Sequence, residues 1–141
     1  MYTYNYPRAA LTVDAIVFVK HGGSASVVLI ERGREPFKNK WALPGGFIEM
    51  DETLETASKR ELFEETGLKV DQMTQFKTFD AIGRDPRHRT ISVVYFAELN
   101  EIQQVKGGDD ASKAEWFPVT DLPELAFDHR QILDEFFIDK L

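Results

Sequence analysis

Between Gly45 and Leu68 the chain reads GGFIEMDETLETASKRELFEETGL, crowding Glu49, Asp51, Glu52, Glu55, Glu61, Glu64 and Glu65 into 24 residues. The segment from about Asp51–Thr53 to Glu65 is patterned as one short helix, and Gly67 stands where a helix stops. At roughly 100° per residue, Glu61, Glu64 and Glu65 fall within about a 100° sector. Leu54 and Ala57 lie on the same stripe one to two turns earlier, so the stripe starts apolar and turns acidic. Like charges at this spacing repel, and the helix dipole disfavours carboxylates near the C-terminal end. Lys59 and Arg60 offset only part of that charge. A solvated surface helix is the plain alternative. Converging carboxylate oxygens, however, are what hard cations such as Mg²⁺ or Mn²⁺ require, and coordination would convert the repulsion into binding.

The rest of the chain alternates strands with one further helix. Leu11–Val19 (LTVDAIVFV) begins with alternation and ends apolar on both faces, as a strand entering a core does. HGGSAS is a turn, and Val27–Arg32 is its hairpin partner. RGREPFKNKWALPGG reads as a polar loop that leads into the acidic helix. FKTFDAI and Thr90–Leu99 are predicted strands separated by GRDPRHR. GGDDASK is a second polar loop and AEWFPV a short strand. DHRQILDEFFIDKL is an amphipathic helix with Asp128 as N-cap and Ile132, Leu133, Phe136 and Phe137 on one face. No repeat, low-complexity tract or linker divides the chain, so residues 1–141 are expected to form a single α/β domain.

Composition narrows the function classes. With no cysteine in 141 residues, disulfides and thiolate metal sites are excluded. A net charge of −7 argues against a broad basic face for nucleic acid. A small anion would need a local basic pocket or a bridging divalent cation. MYTYNYPRAALT lacks the basic start and apolar run of a signal peptide. No apolar stretch approaches the roughly 20 residues of a membrane span. The expectation is a cytoplasmic protein with no membrane and no nucleic-acid partner.

The spacing from Gly46 is more specific than composition. Gly46, five residues, Glu52, seven residues, Arg60-Glu61-Leu62, one residue, Glu64-Glu65, one residue and Gly67-Leu68 resembles the signature of the Nudix hydrolase family at each fixed position. The match spans residues 46–68. The resemblance implies a mixed β-sheet sandwiched between α-helices and hydrolysis of a nucleoside diphosphate linked to another moiety. It implies Glu61, Glu64 and Glu65 as ligands of Mg²⁺ or Mn²⁺, joined by the Gly45 carbonyl. Arg60 would orient the glutamates through charge-assisted hydrogen bonds, and Glu52 would support them. Gly45, Gly46 and Gly67 would serve backbone geometry. Glu64, Glu61 and Arg60 are thus candidate catalytic residues. The general base stays open between a box glutamate and an acid of a later loop, where Asp109, Asp110 and Glu115 are candidates and Asp110 is the one assigned.

Substrate identity has to come from outside the box. GRDPRHR concentrates Arg84, Arg87, His88 and Arg89 in an acidic chain; it reads as an exposed basic turn or as a phosphate and ribose contact, for which arginine is suited. Arg84, Arg87, Arg89 and Phe47 are the candidate substrate-binding residues. This segment, GGDDASKAEWFPVTDLPELAFDHRQIL and YPRAALTVDAIVF are similar to the ADP-ribose pyrophosphatase branch of the family. That implies ADP-ribose as the small-molecule nucleotide substrate, with AMP and ribose 5-phosphate as products. The alternatives are another Nudix specificity (a nucleoside triphosphate, a dinucleoside polyphosphate or NADH) or a non-catalytic ADP-ribose sensor. Such sensors carry an extra DNA-binding domain, and none is expected within these 141 residues. Phe37, Trp41, Phe47, Tyr95 and Trp116 are the aromatics able to stack on adenine. Tyr2, Tyr4 and Tyr6 read as an edge strand or an arm reaching a second subunit, so a homodimer is expected. His129 is read as a helix-start residue and His21 as a turn residue, neither as a ligand.

Overall fold

The continuous apolar run Ala15–Val19, buried on both faces, sets the architecture. The computed structural model of the protein describes residues 2–138. The run lies in strand β1 (Ala10–His21), which turns through Gly22-Gly23 into β2 (Ser24–Arg32). The other elements are β3 (Trp41–Ala42), β4 (Gly45–Phe47), α1 (Leu54–Thr66), β5 (Thr74–Phe79), β6 (Thr90–Leu99), β7 (Ala111–Pro118) and α2 (His129–Phe137). Among the described residues, seven strands form one mixed sheet with β1 parallel to β6 and the remaining pairs antiparallel.

Successive side chains along a strand leave the sheet on opposite faces, and both faces are covered here. Ala15, Val17, Val28, Val93 and Tyr95 pack with Leu62 of α1, Leu68 and Met73. Ile16, Phe18, Val27, Leu29 and Val94 pack with Ile132, Leu133, Phe136 and Phe137 of α2. Phe18 meets the rings of Phe136 and Phe137 edge-on, each at 5.4 Å between centroids. Full burial of such a side chain contributes about 1.5–3 kcal/mol, so the expected α/β sandwich forms around β1, β2 and β6.

The sheet opens where the functional residues gather. The β1–β2 ladder runs only from His21↔Ser24 to Phe18↔Val27. Beyond it β1 pairs with β4 (Asp14↔Gly45, Val13↔Gly46, Thr12↔Phe47) while β2 pairs with β3 and β7. Leu43 and Pro44 carry the chain across the gap, anchored by Ala15 N–H donating to the Pro44 carbonyl at 2.8 Å.

Helix α1 begins behind Thr53, whose hydroxyl accepts from the Thr56 amide, and stops at Gly67, which has φ of 80°. Both ends agree with the sequence reading. β5 ends at Phe79, short of the expected Ile82, because Arg89 Nη1 donates to the carbonyls of Asp80 and Ala81 and turns the chain. β7 starts three residues before AEWFPV, since Ala111 and Lys113 pair with Arg32 and Glu31 across a bulge. Asp128 precedes α2 but makes no capping hydrogen bond; its carboxylate accepts from Arg84 instead. The expected continuation of α2 to Leu141 falls on residues 139–141, outside the described ones. Residues 2–9 form no strand, and Tyr2 and Tyr6 are exposed.

Candidate active site

The inward stripe of α1 carries Glu61 and Glu65 beside Leu62, so two carboxylates are buried with the core. Backbone without side chains makes room for them. A Cβ on Gly46 would lie 2.8–3.0 Å from the Glu61 carboxyl group, and one on Gly45 would collide with the Val13 carbonyl and the Asp14 carboxylate. Gly45 N–H donates to Glu65 Oε1 at 2.8 Å. Burial pushes the Glu65 carboxyl up to about 9 against that hydrogen bond, with Glu61, Asp14 and Asp110 adding repulsion. Glu61 is raised too, by burial above the opposing effect of Arg60.

Arg60 organises the acids. Its Nη2 and Nε grip Glu52 at 2.6 and 3.0 Å. Its Nη1 donates to Glu61 Oε1 at 2.9 Å and reaches Glu64 Oε2 at 3.3 Å. The hydrogen bond to Glu52 is the main cause that raises the guanidinium pKa and lowers that of Glu52. Among the described residues no three Asp, Glu or His side chains yet converge on one point. Arg60 lies between Glu61 and Glu64, and Glu65 is turned to the Gly45 amide. The donor chemistry still fits a hard divalent cation: clustered carboxylate oxygens, two of the groups buried, and no sulfur.

Facing this acidic wall across a cavity of about 370 Å³ is a basic and aromatic one. Arg84, only 5 % exposed in its side chain, is held by both oxygens of Asp128 at 2.6 and 2.9 Å. Burial opposes its charge, but Asp128 outweighs it and the pKa rises. Arg87 is gripped by Asp85 and lies 5.4 Å from the Phe47 ring centre and 5.8 Å from that of Phe127. Arg32 lies 5.0 Å from the same Phe127 ring, its pKa lowered by burial and by Arg87. The two walls meet at the loop before β7. There Asp110 is paired with Arg34 at 2.8 Å, and Asp109 adopts φ of 52°.

The model of the Nudix domain matches residues 8–136. The chain belongs to the Nudix family. This Nudix-type pyrophosphohydrolase is 40% identical over 131 residues to an ADP-ribose pyrophosphatase of Methanocaldococcus jannaschii, covering 93% of this chain and 75% of that protein. It is 34% identical over 137 residues to the ADPR responsive transcriptional repressor NtrR of Acinetobacter baylyi, covering 94% of this chain but 55% of the repressor. The NUDIX domain of Shewanella oneidensis NrtR, solved in complex with ADP ribose, superimposes with a TM-score of 0.85 at 34% identity, over 93% of this chain and 88% of that one.

Within the Nudix cavity lie Gly45, Arg60, Glu61, Glu64, Glu65 and Asp110 from the catalytic and metal candidates, and Phe47, Arg84 and Arg87 from the substrate candidates. Glu52 stands behind them, bound to Arg60. Arg89 is not in the lining; it braces the turn after β5. Of the aromatics, Phe37 packs on Phe127, Trp41 on Phe117, and Trp116 donates to the Gln103 carbonyl, so Phe47 alone of the five lines the cavity. Glu115 is exposed on β7 and also does not line it. Sequence reasoning missed Asp14, Arg32, Arg34, Phe127 and the inward role of His129. A signal existed for one of them: Asp14 interrupts an apolar strand, where a charge needs a reason.

Proposed function

We propose that this protein hydrolyses ADP-ribose to AMP and ribose 5-phosphate with Mg²⁺ or Mn²⁺. The observation that carries the reading is one cavity with buried carboxylates on one wall and tethered arginines on the other. A diphosphate carries charge that the arginines can pair, while a cation held by the glutamates can meet its remaining oxygens. The M. jannaschii relative and the ADP ribose bound by the S. oneidensis domain support this choice of substrate.

Glu61, Glu64 and Glu65, with the Gly45 carbonyl, would hold the cation, and Arg60 would keep the glutamates aligned. When bound, the cation supplies charge for the diphosphate and lowers the pKa of an attacking water. Arg84 and Arg87 orient the diphosphate; their own carboxylate partners fix the guanidinium planes in advance. Phe47 offers a ring face to the base. Water forms a new P–O bond at one phosphorus as the bridging P–O bond breaks, giving AMP and ribose 5-phosphate. The proton of the water passes to a carboxylate, Glu64 or Asp110, both of which line the cavity. We also take the protein to be a cytoplasmic homodimer, with the exposed Tyr2–Tyr6 segment meeting the second copy; sedimentation at micromolar concentration tests this.

The test is phosphate-ester product analysis with Mg²⁺, Mn²⁺ or chelator, using ADP-ribose, NADH, a diadenosine polyphosphate, dGTP and a sugar nucleotide. Cation-dependent AMP formation that is fastest with ADP-ribose is expected. Preference for a triphosphate would discard the substrate assignment. The A. baylyi repressor favours one second reading, an ADP-ribose sensor; binding of ADP-ribose without turnover of any substrate would select it.

A further inference from the structure

One carboxylate of the cavity belongs to neither wall. Asp14 leaves β1 on the face of Ile16 and Phe18, opposite α1, and lines the cavity with its side chain 10 % exposed. A carboxylate in the middle of a core strand is costly unless its oxygens are used. Ser92 Oγ donates to Oδ2 at 2.5 Å. Among the described residues no hydrogen bond reaches Oδ1, whose neighbour is His129 Nε2 at 3.6 Å, beyond hydrogen-bond length.

The tautomer of His129 follows from its other nitrogen. Nδ1 accepts from the Leu43 amide at 2.9 Å, so the proton resides on Nε2, and burial lowers the ring pKa and keeps it neutral. The cavity therefore contains an acceptor, Asp14 Oδ1, beside a donor, His129 Nε2–H, each on a side chain fixed from behind. Such a pair selects its ligand by exclusion. A cation is disfavoured by Arg32 and Arg84, whose charges act on His129 within the same cavity, and an anion by Asp14 itself. A neutral group that both donates and accepts satisfies the pair, and two adjacent hydroxyls match its short spacing.

We infer that Asp14 and His129 bind the vicinal diol of a ribose, one hydroxyl donating to Oδ1 and its neighbour accepting from Nε2–H. The inference rests on the ADP-ribose reading and deepens it, since it gives the site a means to recognise sugar as well as diphosphate. A site built to hydrogen-bond a hydroxyl rejects an analogue lacking it strongly, because its buried polar atoms are then left unpaired.

The experiment compares ADP-ribose with 2′-deoxy-ADP-ribose and 2″-deoxy-ADP-ribose, which separate the adenosine ribose from the terminal one. In the unaltered protein one analogue should lose about 10- to 100-fold in kcat/KM, and the other should stay within about threefold. Asp14→Asn should shrink that discrimination to about threefold, chiefly by slowing ADP-ribose itself. Equal use of all three substrates by the unaltered protein overturns the inference. So does an Asp14→Asn protein that slows all three equally, or one that keeps the discrimination and needs more Mg²⁺. If the unaltered protein turns over none of them, the hydrolase reading fails separately. Calorimetric binding of the same three compounds then decides the diol, with equal affinities overturning it; that measurement needs no variant.

Discussion

Replacing Glu65 by Gln separates the charge of that side chain from its shape. Glutamine keeps an oxygen to accept from the Gly45 amide, as Glu65 Oε1 does at 2.8 Å, and cannot ionise. In the folded protein burial pushes the Glu65 carboxyl from its ordinary 4.5 to about 9. The native state thus keeps a proton that the unfolded chain has released. The stability contributed by that proton is fully present below about pH 4.5 and is lost as pH rises through about 9. Each pH unit inside this window costs about 1.4 kcal/mol, so Glu65 alone removes about 2.7 kcal/mol between pH 6 and 8. Urea denaturation in chelator at pH 6, 7 and 8 measures it. The difference in stability between Glu65→Gln and the unaltered protein should move in favour of the variant by that amount. His129, lowered by burial, gives the opposite slope below about pH 6.5 but is common to both proteins and cancels. With Mg²⁺ added, the unaltered protein should regain its stability at pH 8 and the variant should not. Parallel stability–pH curves in chelator would refute the buried, uncompensated carboxylate on which the cation site is argued.

Further expectations test other parts of the site. Glu64→Gln should lower kcat by at least about tenfold with the fold retained; circular dichroism and steady-state rates check it, and full activity would remove Glu64 from the site. Arg60→Ala leaves Glu52 and Glu61 without their cation and should cost about 2–4 kcal/mol in urea denaturation, with Arg60→Lys recovering less than half because a lysine cannot span both acids. Arg87→Ala should raise KM for ADP-ribose about tenfold while kcat stays within about threefold; an unchanged KM would mean that its place between Phe47 and Phe127 is structural.

The sheet was legible where the chain is long and periodic, and the site where spacing fixes the backbone. Alternation placed β1, β2 and β6, and the box placed Glu61, Glu64 and Glu65 on one helix that starts within the expected Asp51–Thr53 boundary and stops at Gly67. β3 and β4, of two and three residues, are too short for a period to show, although they hold Gly45 and Gly46. Phe127 could not be read because its ring reaches the cavity through a backbone at φ of 53°, fixed by packing against Phe37 rather than by local sequence. Asp128 was read correctly as the N-cap position of a helix, but its carboxylate makes no capping hydrogen bond. A carboxylate there can turn to its own helix or to a distant arginine, and Arg84, 44 residues away, decided it. The same holds for His129, whose place at the start of α2 was plain and whose two ring nitrogens were not.

The glycine pair explains why these residues form one site although they sit on both faces of the sheet. An ordinary strand at β4 would place side chains between Glu61 and Glu65 on the α1 side and Asp14 on the α2 side. With Gly45 and Gly46 in that strand, the two sets of carboxylates approach the same stretch of backbone from opposite faces. Their mutual repulsion is the consequence, seen in Asp14 adding to the raised pKa of Glu65. The sheet tolerates it because each group is held by a donor that does not neutralise it: the Gly45 amide for Glu65 and the Ser92 hydroxyl for Asp14. Hydrogen bonds of this kind fix position without supplying a counter-charge, and Glu65 accordingly keeps its proton. Where Arg60 binds, by contrast, charge is matched as well. Glu65 and Asp14 are thus held without a cationic partner, whereas Glu52, Glu61 and Glu64 share Arg60.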